Sequence, residues 1–149
     1  MSIVPLPDEI LSFRDALGLA FELSDEFAFA YAVVVTDRRR RSIDFHIERR
    51  VGHNITSVLG WLSQRFAHYP AKPCVVLISV RSVDPLSVFE SDLADYRFAR
   101  WTVQRLGADL LDWIETDGEL VRSYSYLVNP TTAWAAGAVA EGTIDGSDW

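Results

Sequence analysis

A single α/β domain, ordered α-β-β-α-β-α-β-β around one mixed sheet flanked by helices, is the fold class this sequence predicts. Stretches of helical periodicity alternate with short β-branched runs. Two of those runs, residues 27–35 (FAFAYAVVV) and 74–80 (CVVLISV), are almost continuously apolar, as strands covered on both faces must be. At 149 residues the chain suffices for one core, burying roughly 68–70% of its unfolded surface.

Asp8 is placed to cap a first helix over residues 8–23, with Glu9 in its first turn. Ile10, Leu11, Phe13, Ala16, Leu17, Ala20 and Phe21 then recur at helical spacing. Residues 27–35 form the first strand. Asp37 and the four arginines Arg38, Arg39, Arg40 and Arg41 connect it to a second, in which Ile43, Phe45 and Ile47 alternate with Asp44, His46 and Glu48. That alternation predicts a strand with one wet face, paired with the first as a hairpin. Asn54 or Thr56 caps a second helix carrying the stripe Ile55, Val58, Leu59, Leu62 and Phe66, and Pro70 and Pro73 mark its exit.

The central strand at 74–80 follows, then a loop over 81–87. A third helix spans residues 88–106 with Phe89, Leu93, Tyr96, Val103 and Leu106 facing inward, and Gly107 supplies the left-handed residue that closes it. Residues 110–115 and 120–127 are strands around Asp117-Gly118, a type I′ turn signal. Past Pro130 the chain is rich in Ala and Gly, acidic and without period. The domain is therefore drawn over residues 1–128, with 129–149 as a flexible tail.

Composition narrows the classes. No apolar run approaches the ~20 residues needed to cross a bilayer. The first residues lack a basic stretch, so no signal peptide is expected and the cytoplasm is the expected location. A single cysteine, Cys74, excludes an internal disulfide and fits a reducing compartment. The net charge of −7 opposes strong non-specific attraction to DNA or anionic membrane. Thirteen of the 14 basic residues are arginine, Lys72 being the exception, a bias that suggests a GC-rich, bacterial genome.

One stretch carries a family signal. Asp84-Pro85, then Asp92, a helix, Gly107 and Leu110-Leu111-Asp112 resemble the second half of the RadC branch of the JAB/MPN metalloprotease-like family. That family's pattern reads H-N-H-P-S-G-D-P-x-P-S-x-x-D, then a helix, a glycine and L-L-D-H. Gly107 lies 15 residues after Asp92 and Asp112 lies 20 after it, and both offsets suit the pattern. The Asp84–Asp92 interval is one residue longer than the family's. The resemblance extends more weakly over residues 26–123, where hairpin, helix and strand follow in the expected order.

The resemblance implies a zinc hydrolase scaffold, and the chain departs from it at the metal. Where the family has H-N-H-P, this sequence has Ile78-Ser79-Val80-Arg81. A catalytic zinc needs three protein ligands and an open position, which Asp92 alone does not supply. Glu26 is the nearest candidate for the family's general base. Ser79, Val80, Ser82, Asp84 and Asp92 thus mark a degenerate site, with no metal and no cofactor expected.

Other chemistry is weaker. His46, His53 and His68 show no i, i+4 or H-x-H spacing, and each has an ordinary place on a wet strand face, in a loop or at a helix end. Asp84, Glu90, Asp92 and Asp95 could hold a hard cation, or simply complement a helix N-terminus. Cys74 reads as a buried small hydrophobe. No nucleophile elbow, P-loop or dinucleotide fingerprint occurs.

Two features suggest contacts. Phe98 and Trp101 fall off the inward stripe of the third helix and, with Arg97, Arg100 and Arg105, form either an aromatic–arginine surface or a face covered within the domain. Trp61 on the second helix poses the same question. Arg38–Arg41 is the one cationic run, read as a solvated turn or a local contact.

The reading that follows is a RadC/JAB-like pseudoenzyme that binds a protein partner or itself. One alternative is a metal-dependent hydrolase, isopeptidase- or peptidase-like, with an atypical site around Asp92. Another is a nucleic-acid-associated protein using Arg38–Arg41.

Overall fold

The sheet is five-stranded and mixed, in the order β2-β1-β3-β4-β5. A computed structural model describes residues 8–10, 12–49, 55–81, 90–128 and Trp134, apart from the side chains of residues 90–92. The strands are β1 (Phe29–Thr36), β2 (Ser42–Glu48), β3 (Cys74–Arg81), β4 (Asp109–Thr116) and β5 (Val121–Ser123). The helices are α1 (Phe13–Glu26), α2 (Ile55–Arg65), α3 (Glu90–Leu106) and α4 (Tyr124–Val128), with a 3₁₀ turn at Phe66–His68. β1 lies antiparallel between β2 and β3, β3 and β4 are parallel, and β5 returns antiparallel to β4. The parallel pair needs a crossover, and α3 provides it.

Alternation along β1 and β3 explains why both runs are apolar throughout. Ala32, Val34, Val76 and Ile78 pack with Ala16, Leu19, Ala20 and Leu23 of α1 on one face. Val33, Val35, Val75 and Leu77 pack with Val58, Leu59 and Leu62 of α2 and Tyr96, Ala99 and Val103 of α3 on the other. Each strand residue thus loses its apolar surface to one helical layer or the other. The mixed α/β class holds. Among the described residues, no helix is long and apolar enough to cross a membrane.

Gly107 closes α3 as its position predicts. Its φ is 99°, its N–H donates to the Gln104 carbonyl at 3.0 Å, and the Ala108 N–H reaches the Val103 carbonyl at 3.1 Å. This paired 5→2 and 6→1 closure is the Schellman arrangement.

Several boundaries differ from expectation. The first helix begins after Ser12, not Asp8, and continues to Glu26. Ser12 is extended, and its N–H donates to the Asp15 carboxylate at 3.3 Å. Residues 8–10 instead run beside the hairpin: the Ser42 N–H donates to the Asp8 carbonyl and the Ile10 N–H to the Arg40 carbonyl, both at 2.9 Å. Thr56 lies inside α2 rather than capping it, while Asn54, Val88 and Phe89 lie outside the described residues.

The last expected strand, 120–127, stops after Ser123 and coils into α4. The cause is side-chain competition for backbone donors. The Ser125 N–H donates to Asp112 Oδ1 at 3.0 Å, and the Tyr126 N–H to Ser123 Oγ at 3.1 Å, as an N-cap would arrange. The preceding turn is not type I′, which needs positive φ at both central residues. Only Gly118 has it, at 97°, and Asp117 Oδ1 instead gathers the N–H groups of Glu119 and Leu120.

Trp134, within the stretch drawn as a tail, has a side chain that is 1% exposed and belongs to the α1-side core.

Candidate functional site

Strand β4 reads DLLDWIET, and its two buried carboxylates, Asp112 and Glu115, organise the polar interior. A bulge opposite Val75 and Val76 inserts Leu111, so that Asp112 stands in register with Val76, on the side covered by α1. Glu115 sits in register with Ser79, on the side of α2 and α3. Both are buried, and buried charges must be paired and hydrogen-bonded.

Glu115 is enclosed by donors. Ser79 Oγ donates to its Oε2 at 3.0 Å, and Tyr124 OH donates to its Oε1 at 3.1 Å. Arg122, directly opposite on β5, donates to Oε1. Arg81, at the end of β3, approaches Oε2 at 3.7 Å. Trp113 Nε1 donates to Ser79 Oγ at 2.9 Å. The Ser79 hydroxyl therefore gives its proton to a carboxylate flanked by two guanidiniums and accepts an indole N–H. That arrangement fixes the hydroxyl in place, and its position is fully buried.

Asp112 gathers four donors. Its Oδ1 accepts the N–H of Trp113 at 2.7 Å and of Ser125 at 3.0 Å. Its Oδ2 accepts Ser123 Oγ at 2.5 Å and the Trp134 indole N–H at 3.0 Å. Burial pushes its carboxyl up to about 6, against the pull of those hydrogen bonds toward ionisation. Tyr96 joins the network through Ser125, whose Oγ lies 3.1 Å from the tyrosine OH and donates to the Leu111 carbonyl at 2.8 Å.

The arginine run does not act as one patch. Asp37 Oδ1 accepts the N–H groups of Arg39 and Arg41, folding the turn tightly. Arg38 pairs with Asp109, which holds its guanidinium more firmly protonated. Arg40 is buried at 2% exposure, with φ of 66°. Its Nη2 donates to the Trp134 carbonyl at 3.0 Å, and its guanidinium lies 5.6 Å from the indole centroid. Burial lowers its pKa. Arg39 and Arg41 are exposed.

The wet face expected for β2 is partly covered by α2. His46 stacks on Trp61 at 4.5 Å with 8° between the planes, and its Nε2 lies 3.2 Å from Glu48. Asp44 accepts Arg65 Nε and Tyr69 OH, each at 2.6 Å. Burial opposes ionisation of Asp44, but those two donors prevail and lower its pKa. His68 is exposed at the 3₁₀ turn, and His53 lies outside the described residues. Cys74 is fully buried, and burial pushes its thiol pKa up.

Of the degenerate site, Ser79 and Val80 are buried on β3. Ser82, Asp84 and the side chain of Asp92 lie outside the described residues. Among the described residues, no three of His, Cys, Asp and Glu gather so as to hold a metal ion.

Helix α3 carries the largest exposed aromatic pair among the described residues. Phe98 is 47% and Trp101 56% exposed. Their rings stack at 6.4 Å, and the Arg105 guanidinium lies 4.9 Å over the Trp101 ring. Arg97 and Arg100 are exposed on the same helix, and among the described residues no acidic side chain pairs with Arg97, Arg100 or Arg105. This face is not covered by another described element.

Sequence reasoning missed Glu115, Arg122, Ser123, Ser125 and Trp134. The available signal was Asp112 and Glu115 inside a run, LLDWIE, that is otherwise apolar on both faces. Compared with models of known protein families, with curated proteins and with solved structures, the chain matches none.

Proposed function

We propose that this chain is a RadC/JAB-like scaffold that works by binding rather than by catalysis, and that the α3 face takes an acidic protein segment. The carrying observation is the exposed, stacked Phe98–Trp101 pair with Arg105 over it and Arg97 and Arg100 beside it. Aromatic rings with arginines are the usual anchors of protein interfaces. Three arginines with no acidic partner among the described residues, in a chain of net charge −7, favour an acidic occupant by charge complementarity.

Ile78 and Val80, aligned with the family's ligand histidines, pack into the α1-side core, which supports a scaffold given over to structure there. A second copy supplies an occupant of the right chemistry. Residues 138–149 of the same chain, AVAEGTIDGSDW, carry three acidic residues and end in a tryptophan.

The test uses a fluorescein-labelled peptide of that sequence, titrated with the protein and followed by anisotropy. Binding that weakens with salt and is lost in Phe98→Ser/Trp101→Ser supports the proposal. A peptide that binds neither protein, or both equally, removes the α3 face as the docking surface for this segment.

A further inference from the structure

Trp134 is held by three distinct contacts, and each one reads a chemical property. Asp112 Oδ2 accepts the indole N–H at 3.0 Å, Arg40 Nη2 donates to the main-chain carbonyl at 3.0 Å, and the Arg40 guanidinium lies 5.6 Å from the indole centroid. We infer that Arg40 and Asp112 form a tryptophan-reading site, filled in cis by Trp134 and able to accept a tryptophan-bearing peptide in its place.

The contacts come from distant parts of the chain. Arg40 belongs to the β1–β2 connection and Asp112 to the bulged strand β4. Asp112 is independently fixed by Ser123 and by the N–H groups of Trp113 and Ser125, so its orientation does not depend on Trp134. The hydroxyl of Ser123 and the indole meet the same oxygen, which sets the line along which an N–H must arrive. An indole N–H satisfies that line, and phenylalanine has no such donor.

Cis occupancy carries a backbone cost. Trp134 and Arg40 both adopt left-handed backbone, with φ of 68° and 66°, a region that L residues seldom enter. The site buries a guanidinium and a carboxylate, each of which loses hydration. Trp134 is thus a core side chain that also fills a polar site. The proposal does not involve the α3 face.

The probe is N-acetyl-tryptophanamide, which carries the indole, its N–H and the flanking carbonyl. Trp134→Ala should melt about 10 °C below the wild type, as expected for deleting a large buried side chain. Millimolar probe should raise that melting temperature saturably. The 1-methylindole analogue and N-acetyl-phenylalaninamide should do so at least tenfold less well, and Asp112→Asn in the same background should abolish the preference.

If Trp134→Ala does not fold alone, the probe should restore folding. The wild type gives a second readout: the indole N–H resonance missing from Trp134→Phe should weaken as excess probe displaces Trp134. No saturable rescue, or equal rescue by the methylated analogue, overturns the proposal. Failure of the variant to fold with probe, together with an unchanged wild-type resonance, does the same.

Discussion

Glu115 and Arg122 face each other directly across the β4–β5 ladder, and both side chains are buried. Directly opposed charges on neighbouring strands attract, and burial raises what is lost when one of them is removed. Glu115→Ala leaves Arg122 and Arg81 without their shared carboxylate, and should cost about 3–5 kcal/mol. Glu115→Gln keeps an acceptor for Ser79 and Tyr124 and should cost less. Urea denaturation of the three proteins measures both, and equal losses would show that the charge is unimportant.

Asp112 predicts an inverted pH dependence. Its carboxyl is raised from 3.8 to about 6 in the fold, so the native state holds the proton more tightly than the unfolded chain. Its contribution is full below the unfolded value and falls as pH rises from about 4 to about 6, by on the order of 3 kcal/mol. Between pH 4 and 6.5 the wild type should therefore lose stability relative to Asp112→Asn, by chemical denaturation. Parallel curves for the two proteins would exclude a raised Asp112.

The α3 face should be separable from the fold. Phe98 and Trp101 are exposed, so replacing both with serine should change stability by no more than about 1 kcal/mol. Arg105→Gln should weaken peptide binding and flatten its salt dependence, because it removes a charge and the cation over the Trp101 ring. Loss of folding in the double serine variant would contradict the exposure of this face.

Gly107→Ala should cost about 1 kcal/mol through backbone alone. The residue has φ of 99°, while an added Cβ would meet only Phe66 ring atoms at 3.8 Å, an ordinary contact. A much larger loss in thermal denaturation would point to a clash that the geometry does not contain.

Cys74 should be inert in the native protein. It is fully buried and its thiol is held protonated by burial. An aromatic disulfide reagent should titrate no thiol in buffer and one in denaturant. Fast labelling of the native state would mean that the β3 end opens readily.

Much of this architecture can be read from periodicity. Runs such as VVV at 33–35 and VVLI at 75–78, β-branched and bounded by polar and proline-containing turns, read as strands with two covered faces, and Gly107 marks its own cap. What escaped was decided by residues far away in sequence. Asp8 and Ser12 are equally good helix caps, and the choice fell to Ser12 because the Asp8 carbonyl pairs with Ser42. Tyr124 to Leu127 alternates like a strand, yet Asp112 captures the Ser125 N–H and turns it into a helix.

Trp134 lies in a stretch with no period, and nothing local reveals its anchor at Arg40. The Glu115–Arg122 pair was within reach, because a hairpin turning near Gly118 brings those two strands together. The α3 aromatics were located by helical geometry alone, while their exposure required knowing what covers the helix.

The two ends of the sheet also govern how copies of this chain meet at high concentration. β5 offers three residues before the backbone coils into α4, too short a template for an incoming strand. β2 is longer, at seven residues, and among the described residues its side away from β1 is met only at its start, where the 8–10 segment pairs at Arg41 and Ser42. An antiparallel copy laid along β2 and centred on His46 would set Asp44 against Glu48 twice, carboxylate facing carboxylate across the new seam. One edge is guarded by brevity and the other by like charge, so stacking into fibrils is resisted at both ends of the sheet.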